Sequence, residues 1–408
     1  MGAALNRQLR CGLLVLAAGC VQSAGHAPPF GAAPPAASDD SPADAGASDA
    51  TADGAVATVP KAPLAGLIDM QEVSWHNTAG AEPTFTMANV DQFPGVLGGI
   101  VINATWDAIQ PTADGALDFT TIDAALAQIR EYNAANPSAP LGSKLRVYAG
   151  ANAPAWAKAL DGDPVSISRN AQACASCGPL TIGRIWSPTY IAAWRQFQQQ
   201  LAARYDTEPL VRHVAVTSCG QQTDEPFVPT TDDMSKTRLS EAGYTDELQQ
   251  DCLLGAVDDY APWLLTNVDY TINPFTPIRG KADDTVFPES VMAACRAALG
   301  ARCVLGNHAL SAPLRAADQG VYDALGAAGG PISFQTASPR KMGCLWTQTV
   351  AQGVALGASS IEIWPRAALV GFDSLTADDL RQLAAELVTP IAVDPDPMPL
   401  PDTCTGFH

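Results

Sequence analysis

Positive charge is scarce in this chain of 408 residues: 23 Lys and Arg stand against 42 Asp and Glu, a formal net charge of −19. An acidic surface of that kind is repelled by nucleic acid and by anionic membranes, so neither is an expected partner. Histidine is rarer still, with five residues, and none sits at a His/Cys/Asp spacing that would hold a metal. The GxSxG elbow of serine hydrolases, the P-loop and the GxGxxG dinucleotide turn do not occur. No EF-hand loop is visible either. No metal or cofactor is therefore expected, and hydrolase chemistry based on a serine triad is excluded.

What is present begins with a targeting segment. Arg7 and Arg10 precede an apolar run, Gly12 to Ala18, too short to span a bilayer. Leu16-Ala17-Ala18-Gly19-Cys20 resembles the lipobox of bacterial lipoproteins, which implies that residues 1–19 are a signal peptide and that Cys20 carries lipid; ordinary signal cleavage nearby is the alternative. Both readings export the protein, to the outer membrane or cell surface or as a secreted chain. Contact with a membrane is then expected only through the N-terminal anchor. Residues 20–62 are rich in Ala, Pro, Asp, Ser and Gly, cannot bury enough surface to offset ordering entropy, and are expected to form a disordered linker.

Setting aside Cys11 and Cys20, eight cysteines remain, and an even number in an exported protein points to disulfides. Cys295 with Cys303 would close a short helix-to-strand loop, and Cys174 with Cys177 would form a local clip. Zinc or redox chemistry at Cys174-Ala-Ser-Cys177 is the competing reading, but no second CxxC or paired His accompanies it, and it does not open a helix after a strand.

From residue 63 to the C-terminal tail at residue 408, short apolar runs alternate with segments of helical period. Strands are expected at Leu64–Met70, Gly98–Ala104, Lys144–Ala149, Val211–Val216, Val268–Ile272, Arg302–Leu305, Pro331–Phe334 and Ser359–Pro365. Helix starts are signalled by Ser187-Pro188 and by capping-box spacing at Thr120/Asp123 and Thr376/Asp379. Eight alternations favour an α/β fold, a (β/α)8 TIM barrel, in one domain of 63–408. In such a barrel the residues just past each strand converge on one face. The stretch Val211 to Pro229 delivers Asp224 and Glu225 there, and Glu225 is the candidate general acid/base. Trp106, Asp107, Trp156, Gln222, Asn307, His308, Gln335, Glu362 and Trp364 fall at other strand ends. Aromatic faces, amides and carboxylates together are what a sugar demands.

Trp106-Asp107-Ala108-Ile109-Gln110-Pro111, followed by Gly115 and Asp118-Phe119-Thr120-Thr121-Ile122-Asp123, resembles clan-A glycoside hydrolases, especially the β-galactosidase-like barrels. Ala149 to Trp156 resembles their third strand end. The resemblance covers roughly residues 64–390. It implies a carbohydrate substrate, an acid/base Glu after strand four, matched by Glu225, and a nucleophilic Glu after strand seven. Asp224 replaces the Asn that usually precedes the acid, and Gln335 stands where the nucleophile would be. Glu362 is the next candidate partner: with Ile361 and Ile363 packed outward, it would face into the barrel. A barrel that binds carbohydrate without turning it over is the alternative reading.

Overall fold

The structure, a computed structural model, describes residues 59–73, 81–169, 178–227, 232–279 and 282–388. The expected signal segment, almost all of the expected linker, Cys20, Cys174 and Cys177 lie outside them. Eight parallel strands follow in chain order: β1 Gly66–Asp69, β2 Leu97–Thr105, β3 Gly142–Tyr148, β4 Val211–Ala215, β5 Asn267–Thr271, β6 Cys303–Gly306, β7 Ser333–Gln335 and β8 Ser360–Ile363. Each is followed by a helix: α1 Ala88–Gln92, α2 Thr120–Ala135, α3 Pro188–Tyr205, α4 Asp246–Asp259, α5 Phe287–Leu299, α6 Gln319–Ala328, α7 Trp346–Ala355 and α8 Ala377–Val388. Neighbouring strands pair in sequence, β1 pairs β8, and a parallel bridge from Leu305 to Ile332 joins β6 to β7. The sheet closes into the expected (β/α)8 barrel.

Local chemistry explains most element ends. The Ser187 side chain accepts a hydrogen bond from Tyr190 N, with Pro188 in the first turn of α3. Thr376 and Asp379 exchange reciprocal capping bonds at α8. At α2 the expected capping box does not form. Asp118 accepts from Thr120 N instead, and Asp123 binds the Tyr205 hydroxyl and Arg204. The Cys295–Cys303 disulfide forms as expected, and Cys219 pairs with Cys252. Helix Asp233–Glu241, α1 and an antiparallel pair, Val165–Ile167 with Leu180–Ile182, were not anticipated by the hydrophobic pattern.

The main apolar core lies between barrel and helices and includes Leu145, Val147, Ile361 and Ile363. Leu64, Ile68 and Val101 form a separate small cluster. Leu64 fills space left by a missing side chain: a Cβ on Gly142 would sit 2.7 Å from its Cδ2. Its backbone N–H donates to His213 Nε2, which seats the chain entry against the barrel floor. No helix among the described residues is long and apolar enough to cross a membrane.

Candidate active site

Strand β3 alternates. Leu145 and Val147 face the helices, so Lys144, Arg146 and Tyr148 turn inward, all 2% exposed or less. Barrel interiors are usually filled by branched apolar side chains; this one is filled by charge. Lys144 Nζ lies 3.0 Å from Asp269 Oδ2 on β5 and 2.6 Å from Glu362 Oε1 on β8. Arg146 Nη2 lies 2.5 Å from Glu362 Oε2, and its Nε lies 2.5 Å from Asp224 Oδ2. Arg146 thus spans from the barrel interior to the loop after β4. His213 Nε2 accepts from Leu64, so its Nδ1 carries the proton, 3.1 Å from Asp269 Oδ2.

Burial alone would make these carboxyls hard to ionise, yet the cations win. Burial raises Glu362, but the charges of Arg146 and Lys144 outweigh it and hold the carboxyl below its usual range. Asp224 is likewise raised by burial and lowered by more through Arg146, His308 and Lys144. Both are fixed as anions.

Glu225 behaves in the opposite way. Burial, and then the neighbouring anionic Asp224, push its carboxyl up to about 7, while a hydrogen bond from Asn273 Nδ2 to Oε1 at 3.2 Å pulls against them. Lys341, on the short helix Pro339–Met342 after β7, and Arg315, from the loop after β6, oppose the rise more weakly. The side chain keeps partial access to solvent. Two adjacent carboxyls, one locked as an anion and one protonated near neutrality, are the signature of separated acid/base roles.

The backbone beneath this pair is close-packed. Gly150, after β3, has φ +54°, and a Cβ there would lie 2.2 Å from Gly220 O and 2.5 Å from Gln221 O. Only glycine lets the two loops approach. Ala151 N then donates to Gln221 O at 2.8 Å.

The other expected site residues divide. His308 is nearly buried, with Nε2 3.0 Å from Thr271 Oγ1 and Nδ1 3.6 Å from Asp224 Oδ2. It stands beside the acidic pair. Gln335 closes β7 as the register partner of Glu362. Asp107, Trp156, Gln222 and Trp364 are part-exposed, and three of them spend a donor on the framework: Trp156 on Gln110 O, Gln222 on Ser168 O, and Trp364 on Thr336 O. Asp107 Oδ1 accepts from Ala108 N.

Trp106 and Asn307 are corrected. Trp106 is fully buried among Trp156, Tyr190, Trp194 and Phe197, its indole N–H on Gln110 Oε1. Asn307 is fully buried, donating to Ile272 O and accepting from Ala309 N and the Tyr322 hydroxyl. Neither offers a sugar an open group. Glu362 faces inward as expected, but with each oxygen on a cation. Lys144 and Arg146 were not singled out by sequence, although their alternation with Leu145 and Val147 was the available signal.

No protein-family model and no curated protein matches the chain. Among solved structures, it resembles endo-glycoceramidase II from Rhodococcus sp. (14% identity, TM-score 0.47, 75% of each chain covered). It also resembles a β-galactosidase from the psychrophilic Marinomonas ef1 (12%, 0.47, 81% of this chain and 61% of that one). An endoglucanase of Pseudomonas stutzeri is a third (11%, 0.43, 79% and 96%). Likeness of this degree says nothing about which residues act or on what.

Proposed function

We infer that the protein is an exported glycoside hydrolase that cleaves O-glycosidic bonds of an extracytoplasmic glycan, with Glu225 as the proton donor. One observation carries the reading: in the loop after β4 a part-exposed carboxyl stands directly beside a carboxylate that Arg146 holds at 2.5 Å as an anion, and burial with that like charge raises it to about 7. Glu225 would protonate the leaving oxygen, and ionised Asp224 beside it would help to keep the proton on Glu225 until then. His308, Asp107, Gln222, Trp156, Gln335 and Trp364 are the candidate sugar contacts.

Glu362 fits poorly as the second catalytic group. It is 1% exposed and both oxygens are engaged, so it acts as the counter-ion that aims Arg146 at Asp224. The two disulfides Cys219–Cys252 and Cys295–Cys303 fit an oxidising compartment. Lipidation at Cys20, with residues 21–58 as tether, is the proposed attachment.

The test is a screen of aryl glycosides and polysaccharides across pH with the native protein and Glu225→Gln. Turnover that falls as pH rises through about 7 and disappears in the variant is expected. Turnover at full rate in Glu225→Gln sinks the assignment. Gln335, an amide at the end of β7, favours a second reading, a barrel that binds sugar without cleaving it; retained binding with no turnover on any substrate would select it.

A further inference from the structure

Helix α4 presents one face to the loop that carries Glu225. Gln249, Cys252, Ala256 and Asp259 recur at helical spacing along it, and all are buried. Gln249 and Cys252 of that stripe grip the loop after β4, while Asp259 holds Arg195 of α3. Gln249 Nε2 donates to Cys219 O at 2.9 Å and to Pro226 O at 3.1 Å. A single amide group thus ties the two ends of the segment 219–226 together, and the second tie is at the residue immediately after Glu225. Cys252 is covalently joined to Cys219, whose φ of +63° is unusual for a residue other than glycine. Next to the stripe, the Tyr260 hydroxyl accepts from Thr217 N at 2.9 Å.

The loop is built of bends with no ladder of its own; Glu225 itself makes the Asn273 contact and a turn bond from its N to Thr223 Oγ1, and its neighbours are held by Ala151 N at Gln221, Ser168 O at Gln222 and Arg146 at Asp224. We propose that Gln249 and the Cys219–Cys252 disulfide are positioning residues that clamp this loop to α4 and hold the Glu225 carboxyl in its semi-enclosed seat. They act through Glu225 and touch no substrate. The proposal rests on Glu225 being the proton donor. Its physical content is that enclosure sets the acidity: a loop free to lift admits water, and a hydrated carboxylate is easier to ionise. The disulfide is 3% and 5% exposed at its two cysteines, so it serves as a brace and is shielded from exchange.

The test reads Glu225 directly, without any glycan. The carboxyl is titrated by infrared difference between each protein and the same protein carrying Glu225→Gln. The series comprises the native chain, Gln249→Met, and Cys219→Ala with Cys252→Ala. A control, Cys295→Ala with Cys303→Ala, breaks the other described disulfide, which joins the end of α5 to the start of β6. Circular dichroism selects variants that keep the native fold. Expected is a midpoint lowered by about one pH unit or more in both clamp variants and unchanged in the control. Where turnover is found, the high-pH limb of the rate profile moves by the same amount, at a KM changed less than kcat. Midpoints that coincide across all folded variants overturn the proposal. Because the titration needs no substrate, an inactive protein with a shifted midpoint would refute the enzyme reading and leave the clamp standing.

Discussion

Replacing Glu362 with glutamine separates its two possible roles, and the charge balance predicts how. Two cations, Lys144 and Arg146, face three anions, Asp224, Asp269 and Glu362. In Glu362→Gln, Lys144 keeps Asp269 at 3.0 Å and Arg146 keeps Asp224 at 2.5 Å. No cation is orphaned, so the loss sits at the low end of the about 3–5 kcal/mol seen when a buried pair is broken. Lys144→Met is the harsher change. It leaves Asp269 on His213 Nδ1 and leaves Glu362 and Asp224 on Arg146, three anions against one cation, and belongs at the upper end of that range. Thermal and urea denaturation at pH 7 measure the order, and residual turnover is assayed in parallel. The expected result is Lys144→Met less stable than Glu362→Gln, with Glu225-dependent turnover surviving in the latter. A Glu362→Gln protein of native stability whose turnover falls by many orders of magnitude refutes the counter-ion reasoning and makes Glu362 the attacking group.

Three further outcomes follow from the same geometry. A carboxyl raised in the folded state from 4.5 to about 7 contributes stability that is complete below its unfolded value and lost as pH rises through about 7. Glu225→Gln should therefore gain about 2–3 kcal/mol on the native protein between pH 4 and pH 9; a Tm difference that stays flat over that interval contradicts it. Lys341→Ala removes a charge that lowers Glu225, so the midpoint of Glu225 should rise above about 7 by infrared titration, and an unmoved midpoint would show that Lys341 is not felt there. Trp106→Ala should cost about 3–5 kcal/mol as a core cavity, read by denaturation, with glycan preference among residual activities unchanged; altered preference at native stability would return Trp106 to the binding surface.

The barrel was legible because its strands are apolar runs that end in polar residues, and its helices keep a period of 3.6. All eight strands lie where the runs lie, give or take two residues. Placement of side chains at the strand ends was harder. Trp106 and Asn307 sit at the right positions for a ligand, but whether an indole or amide turns to the mouth or into the packing depends on neighbours distant in sequence. Trp106 is claimed by Tyr190, Trp194 and Phe197 of α3, more than eighty residues away. Asn307 is claimed by Tyr322 of α6. The Thr120/Asp123 spacing failed for a similar reason: Asp118 reached Thr120 N first, and Asp123 found Arg204 and Tyr205 on α3. Bringing Asp224 and Glu225 together, the pair on which the proposed acid rests, needed no such knowledge, since a single loop carries both.

The charged interior also bears on why β7 ends in an amide. Gln335 and Glu362 are register partners on adjacent parallel strands, so their side chains leave the sheet on the same side. Glu362 already uses Lys144 and Arg146 with both oxygens, and the described set of close ion pairs holds one more anion than cation. A carboxylate at 335 would add a further anion next to Glu362 with no free cation in that set to meet it. It would either take up a proton or compete for Arg146, and any competition for Arg146 loosens its hold on Asp224. Asp224 would then ionise less completely, and the like charge that helps to keep Glu225 protonated near neutrality would weaken. Gln335 and the Arg146–Asp224 pair are thus linked through Glu362. Gln335→Glu should therefore shift the Glu225 midpoint downward rather than install a working second carboxylate; turnover raised by that substitution, with the midpoint unmoved, would break the link.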